Sequence, residues 1–145
     1  MKFSVPLQEC LNRLLYFIET TRNHYNKETH KPVITVMVGH NSSVFDTPTL
    51  LRSAESSFIQ KLTLLDVVFA DSLPLFKSVR KSDLPSSKIL LQCKDNKLTT
   101  LYSHLFEENF NAHDAVEDVK ALIRILFRSS LEITSEQVVD HGRAC

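Results

Sequence analysis

Val33-Ile34-Thr35-Val36-Met37-Val38, followed at once by Gly39-His40-Asn41-Ser42-Ser43-Val44-Phe45-Asp46, decides how this chain is read. Six consecutive apolar or β-branched residues leave neither face polar. Such a run reads as a strand covered on both sides, the kind found in parallel sheets, and Gly39 ends it. The polar residues then bunch just past the strand's carboxyl end. Open α/β sheets gather their functional groups at that place.

The elements on either side agree with that class. Upstream, Leu7, Leu11, Leu14, Leu15 and Ile18 share one face of an amphipathic helix. The polar stretch from Thr20 to Lys31 and then Pro32 are expected to end it. Downstream, Thr47-Pro48 supplies an N-cap and a first-turn proline. Leu50, Leu51, Ala54, Phe58, Ile59 and Leu62 continue at helical spacing. A second strand is predicted over Leu65–Ala70, ending at Asp71-Ser72, with a short helix from Leu73 to Val79. Lys81 to Ser87 reads as an exposed loop. Leu98, Leu101, Tyr102 and Leu105 mark another short helix. Ala115, Val116, Val119, Leu122, Ile123 and Leu126 form the stripe of a last strong helix. Strands alternating with helices imply an α/β layer structure with parallel pairing. Two parallel strands make a poor sheet, because each leaves an edge unpaired. Either the chain pairs with something else or part of the sheet is missing.

Composition narrows the function. The 145 residues suffice for one domain, and 43% are hydrophobic, enough for a core. Lys plus Arg and Asp plus Glu number 17 each, so the formal net charge is zero. Binding of nucleic acid by bulk positive charge is thereby excluded, and any phosphate-facing patch must be local. With two glycines, Gly-rich phosphate loops are excluded too. Cys10, Cys93 and Cys145 are far apart and odd in number, against a disulfide framework or thiolate zinc site. No apolar run approaches the roughly 20 residues of a membrane helix, and the start lacks a signal-peptide h-region. A soluble intracellular protein, nuclear or cytoplasmic, with no membrane partner is expected. No serine or cysteine nucleophile arrangement supports an unrelated type of hydrolase.

HNSSVFDTPTLL (40–51) resembles the second motif of the DEDD-type, DnaQ-like 3′-5′ exonucleases that use a catalytic histidine. HDAVEDVKAL (113–122) resembles their third motif, and FADSLPLF (69–76) the strand and short helix between them. The similarity covers roughly residues 7 to 128. The chain is similar as well to the exonuclease-like domain carried by one isoform of the promyelocytic leukaemia protein. The resemblance implies a ribonuclease-H-like α/β fold lacking its N-terminal strands, with residues 1–130 as a partial exonuclease-like domain and 131–145 as a C-terminal tail. It also implies Mg²⁺ or Mn²⁺ in a two-metal site, the ions about 3.5–4 Å apart. Asp46 and Asp118 would be metal ligands and His113 the general base, with His40, Asn41 and Phe45 beside the substrate. The expected partner is a nucleic acid 3′ end, single-stranded or frayed. Five helical residues turn a side chain by about 140°, so His113 is expected on the loop leading into the helix that carries Asp118.

The family's first motif, Asp-x-Glu on an opening strand, is missing. Before Asp46 the only acids are Glu9, Glu19 and Glu28, none with a second acid two positions away. No apolar β-run precedes Val33. Two carboxylates hold a pair of divalent ions poorly, so this chain is expected to have little or no activity. The alternative is a catalytically dead module that binds nucleic acid or protein. Loss of the opening strand would leave Val33–Val38 with an open edge, through which the chain could self-associate.

Blander readings stand beside these. Asp46 and Asp71 could each cap the helix that follows, and Asp114 and Glu117 suit the positive end of theirs. His113 could be a polar residue with no role. His24, His30, His104 and His141 read as solvated, and Lys77-Arg80-Lys81 as a solvated loop rather than a phosphate contact.

Overall fold

The computed structural model describes residues 6–112 and 114–144. It is a mixed α/β architecture, mostly helical, around a small sheet. Helix α1 spans Leu7–Thr29 and buries Leu11, Leu15 and Ile18. It runs nearly three turns past its expected end, since Asn, Lys and Glu are tolerated in an exposed helix and nothing before Pro32 breaks one. His30 closes it in a left-handed conformation, φ 55°.

Strands β1 (Thr35–Gly39) and β2 (Val67–Asp71) pair in parallel, Thr35 opposite Val67 and Gly39 opposite Asp71. The connection between them is two helices rather than the one expected. α2 covers Asp46–Ser53 and α3 covers Ser56–Leu64, separated where Ala54 turns extended at ψ 148°. The break swings Phe58 and Leu62 down onto α1 and β2.

After β2 come α4 (Ser72–Lys81), α5 (Pro85–Leu91), α6 (Leu98–Phe106) and α7 (Ala115–Leu126). The expected loop over 81–87 is thus half helix. Pro85 takes the first helical position, where its missing N–H costs nothing, and Ser86 and Ser87 are buried. The segment after 130 contributes the buried Leu131, α8 (Ser135–Asp140) and strand β3 (Gly142–Ala144). β3 pairs antiparallel with β2, giving the order β1-β2-β3. One edge of β2 is therefore occupied by each neighbour, whereas β1 has a partner on one side only among the described residues.

Helices cover both faces. Met37, Val67 and Phe69 join the core of α1 and α3, while Val38 points the other way into the core of α4–α7. That alternation is the strand's period of two. The run read as fully covered is only half so: every β1 residue is half-buried and Ile34 is exposed. The stripe on α7 also differs from expectation. Ala121, Leu122 and Ile125 are buried, whereas Val116, Val119 and Ile123 face outward. No helix among the described residues is long and apolar enough to cross a membrane.

Candidate functional site

The segment His40–Asp46 leaves the carboxyl end of β1 and folds back over the carboxyl end of β2. Its organiser is Asp71, the last residue of β2. One carboxylate oxygen accepts from the backbone N–H of Asn41 (2.7 Å) and of Leu73 (2.9 Å). The other accepts from Ser43, both backbone N–H (3.0 Å) and hydroxyl (2.6 Å). Asp71 therefore caps α4 and at the same time clamps the loop. Burial would push its carboxyl up, but the hydrogen bonds from Ser43, Leu73 and Asn41 outweigh that and hold it below the usual range. The clamp keeps Asn41 at φ 59°, a left-handed conformation that asparagine tolerates better than most residues.

Two further contacts lock the turn. The Ser42 hydroxyl lies 3.1 Å from the Gly39 carbonyl and 3.2 Å from that of Ala70, tying β1 to β2. A Cβ on Gly39 would come within 2.6 Å of the Ser42 Cβ, so this close approach requires glycine. His40 is held at both ring nitrogens, Nε2 by the Asn96 carbonyl (2.8 Å) and Nδ1 by the Ser72 hydroxyl (2.9 Å). A carbonyl only accepts, so Nε2 carries the proton and Nδ1 accepts from Ser72. Burial pushes the His40 pKa down, which keeps the ring neutral. Asn96 is itself anchored by Arg80, whose guanidinium also reaches the carbonyls of Cys93 and Asp95, each at 3.0 Å. Arg80 is thus a strut of the fold rather than part of a solvated loop.

Of the sequence-predicted residues, His40, Asn41, Phe45 and Asp46 share this loop. His40 reaches a substrate only by releasing Ser72 or Asn96. Phe45 is 63% exposed beside the exposed Val44. Asp46 opens α2, makes no cap hydrogen bond, and lines a hollow of about 130 Å³ with Met37, Gly39 and Leu50. A larger cleft of about 480 Å³ adjoins it, sharing Ser42, Thr47 and Phe69 and lined also by Ser43, Asp71, His141 and Arg143. Asp118 is half-buried in the first turn of α7, where Asp114 is the cap, accepting from Val116 and Glu117. His113 lies outside the described residues.

Among the described residues no three His, Cys, Asp or Glu side chains group as a metal site would need. A two-ion centre wants converging carboxylates on each ion. The described residues do not fit one.

The cap that the sequence suggests for Asp71 is present, and its grip on the motif loop is a further role that the sequence reading does not contain. The signal was in the sequence: an acid ending one strand, beside a Ser-Ser turn ending the other. His141, which lacks ligand spacing and is expected to be solvated, is instead half-buried against the Gln137 carbonyl (2.8 Å).

Compared with known proteins, the chain is 32% identical over 90 residues to an uncharacterised exonuclease, R569, of Acanthamoeba polyphaga mimivirus. That alignment takes in 62% of this chain and 24% of the viral protein, so the chain spans about a quarter of its relative. No protein-family profile matches, and no solved structure does. The similarity supports an exonuclease-like relationship.

Proposed function

We propose that this chain is an exonuclease-like module of the histidine-containing DEDD type that engages the 3′ end of single-stranded or frayed nucleic acid. What carries the reading is the similarity to a protein named as an exonuclease. The geometry supports it: a rigid polar loop at the carboxyl ends of two parallel strands, presenting an exposed Phe45 and the uncommitted Asp46. In this reading Phe45 stacks against the terminal base, Asn41 and His40 line the approach, and Asp46 and Asp118 match the acidic positions at which the resembled family holds Mg²⁺ or Mn²⁺, too few by themselves to hold an ion pair. His113 is the group that would take a proton from an attacking water. The fold would be the ribonuclease-H-like one without its opening strands. The edge of β1 that has no partner among the described residues is one surface at which two copies could pair.

A second reading is favoured by the shortage of carboxylates: the module binds without cutting. One experiment separates the two. Fluorescence anisotropy with a single-stranded oligonucleotide should show binding that Phe45→Ala weakens about fivefold or more, as expected for loss of one base-stacking contact. The same oligonucleotide, 3′-labelled and incubated with Mg²⁺ or Mn²⁺, should be cut slowly or not at all. Cutting abolished by Asp118→Ala supports the nuclease, binding without cutting supports the dead module, and cutting that survives Asp118→Ala excludes the proposed site. No binding to any oligonucleotide overturns both readings.

A further inference from the structure

The carboxyl end of α7 carries a cluster that the candidate site does not use. Phe127, which closes the helix, is 84% exposed, more than any other large hydrophobic side chain among the described residues. Arg124, in the last turn, and Arg128, just beyond it, flank Phe127 in the chain, and both are pinned. Their guanidiniums lie over the ring of Phe106 on α6, 4.2 and 5.3 Å from its centroid. Nη1 of Arg124 also donates to the Tyr102 hydroxyl, and Nε of Arg128 to the Ser130 hydroxyl (3.2 Å). Nε and Nη2 of Arg124 and both Nη groups of Arg128 have no partner among the described residues. Stacking thus fixes the two forks and leaves most of their donors unspent.

The chemistry of the cluster selects an occupant. The two guanidinium carbons are no further apart than their two centroid distances together, close enough for neighbouring phosphates of one strand. Arginine's planar fork matches phosphate oxygens in pairs, and pinning it beforehand lowers the entropy lost on binding. A bare aromatic ring beside two cations adds a face on which a base stacks. Glu108, 3.5 Å from Arg124 and 56% exposed, is the one carboxylate within ion-pair range of either arginine among the described residues. So loose and exposed a pair is worth little, and a phosphate replaces it. The partial negative charge at the helix end is about half a unit, against two full positive ones. With a formal net charge of zero, nucleic acid needs a local patch, and this one is aromatic as well as basic. We propose that Arg124, Phe127 and Arg128 form a second contact for single-stranded nucleic acid, with phosphates on the two arginines and a base on Phe127. The proposal rests on nucleic acid being the partner, but on none of the residues of the candidate site. Arg128 lies about 15 Å along α7 from Asp118.

Fluorescence anisotropy of the full chain with a single-stranded oligonucleotide, repeated across a salt series, tests it. Arg124→Gln with Arg128→Gln removes two phosphate contacts and should make the fall of log affinity with log salt shallower by about 1.4. Arg128→Gln alone should do so by about 0.7. Phe127→Ala should weaken binding about fivefold with the salt slope unchanged. Glu108→Gln should tighten binding about twofold, a direction that a purely structural role for the cluster does not give. An oligoglutamate peptide should bind far more weakly, having nothing to stack on Phe127. Arg124 braces Tyr102, so thermal melts check folding. Arg128→Gln and Phe127→Ala, both at exposed positions, carry the test should the double variant not fold. Equal capture of oligoglutamate, or of phosphatidylserine vesicles in place of the oligonucleotide, overturns the proposal. Binding that Phe45→Ala weakens and these changes leave untouched overturns it too, while sparing the candidate site. No binding to any oligonucleotide overturns both.

Discussion

β1 and β2 are equal in length, parallel and in register, and their sequences are about equally apolar. Yet Val67, Ala70 and Asp71 of β2 are buried while all of β1 is half-buried. The difference lies in the neighbours. β2 has a strand on each side and helices above and below, whereas among the described residues β1 has β2 alone. Apolarity in a strand records what the strand is suited to, and burial records what surrounds it.

That contrast can be broken most forcefully by charge. Val67→Asp puts a carboxylate into the core of α1 and α3, at a position 2% exposed, and should destabilise by roughly 3 kcal/mol or more. Val36→Asp, one position further along the ladder on β1, should cost only about 1 kcal/mol. Urea unfolding of the two variants measures the gap, and equal costs would show that β1 is as enclosed as β2.

The two strands are also joined at their carboxyl ends, and Asp71 is the joint. Asp71→Ala removes a helix cap and three bonds to the loop, a loss of about 2 kcal/mol. Asp71→Asn keeps one acceptor and should fall between. If the loop positions Phe45 and Asp46 as proposed, oligonucleotide binding should weaken in step with these losses.

The smallest effect is one of pH. The His40 pKa lies below its ordinary 6.5 because burial disfavours the imidazolium. The unfolded chain therefore takes up a proton first as pH falls through 6.5, and the stability tied to neutral His40 is present above that value and drains away below it. Asp71, also lowered, holds its contribution until pH falls below about 3.8. Melting temperature should drop between pH 7 and pH 5, and His40→Gln should recover about 3 °C of that drop. An unchanged slope in the variant would remove His40 from the account.

Much of the α/β character was legible because β-branched runs and helical spacing are strong local signals. Val33–Val38 and Leu65–Ala70 each located a strand to within two residues. What escaped depends on distant partners. Gly142-Arg143-Ala144 has no strand pattern of its own and is a strand only because β2 offers a free edge. Val116, Val119 and Ile123 carry the same periodicity as buried residues, and periodicity cannot say which of two apolar stripes has a partner. At the site, the loop His40–Asp46 was legible from its placement after a strand. Its dependence on Asp71, Ser72 and Asn96 was not, since those contacts span 28 to 56 residues of sequence.

Gly39 sets a limit on how this chain can diverge. Adding a single methyl there drives Ser42 away, and Ser42 holds the Gly39 and Ala70 carbonyls together. A saturation library selected only for solubility should therefore be depleted of every replacement at Gly39, alanine included, while Phe45 three residues beyond Ser42 drifts freely. Selecting that library for nucleic-acid capture instead should make the two positions equally intolerant, which separates architecture from use within a single strand-to-helix loop.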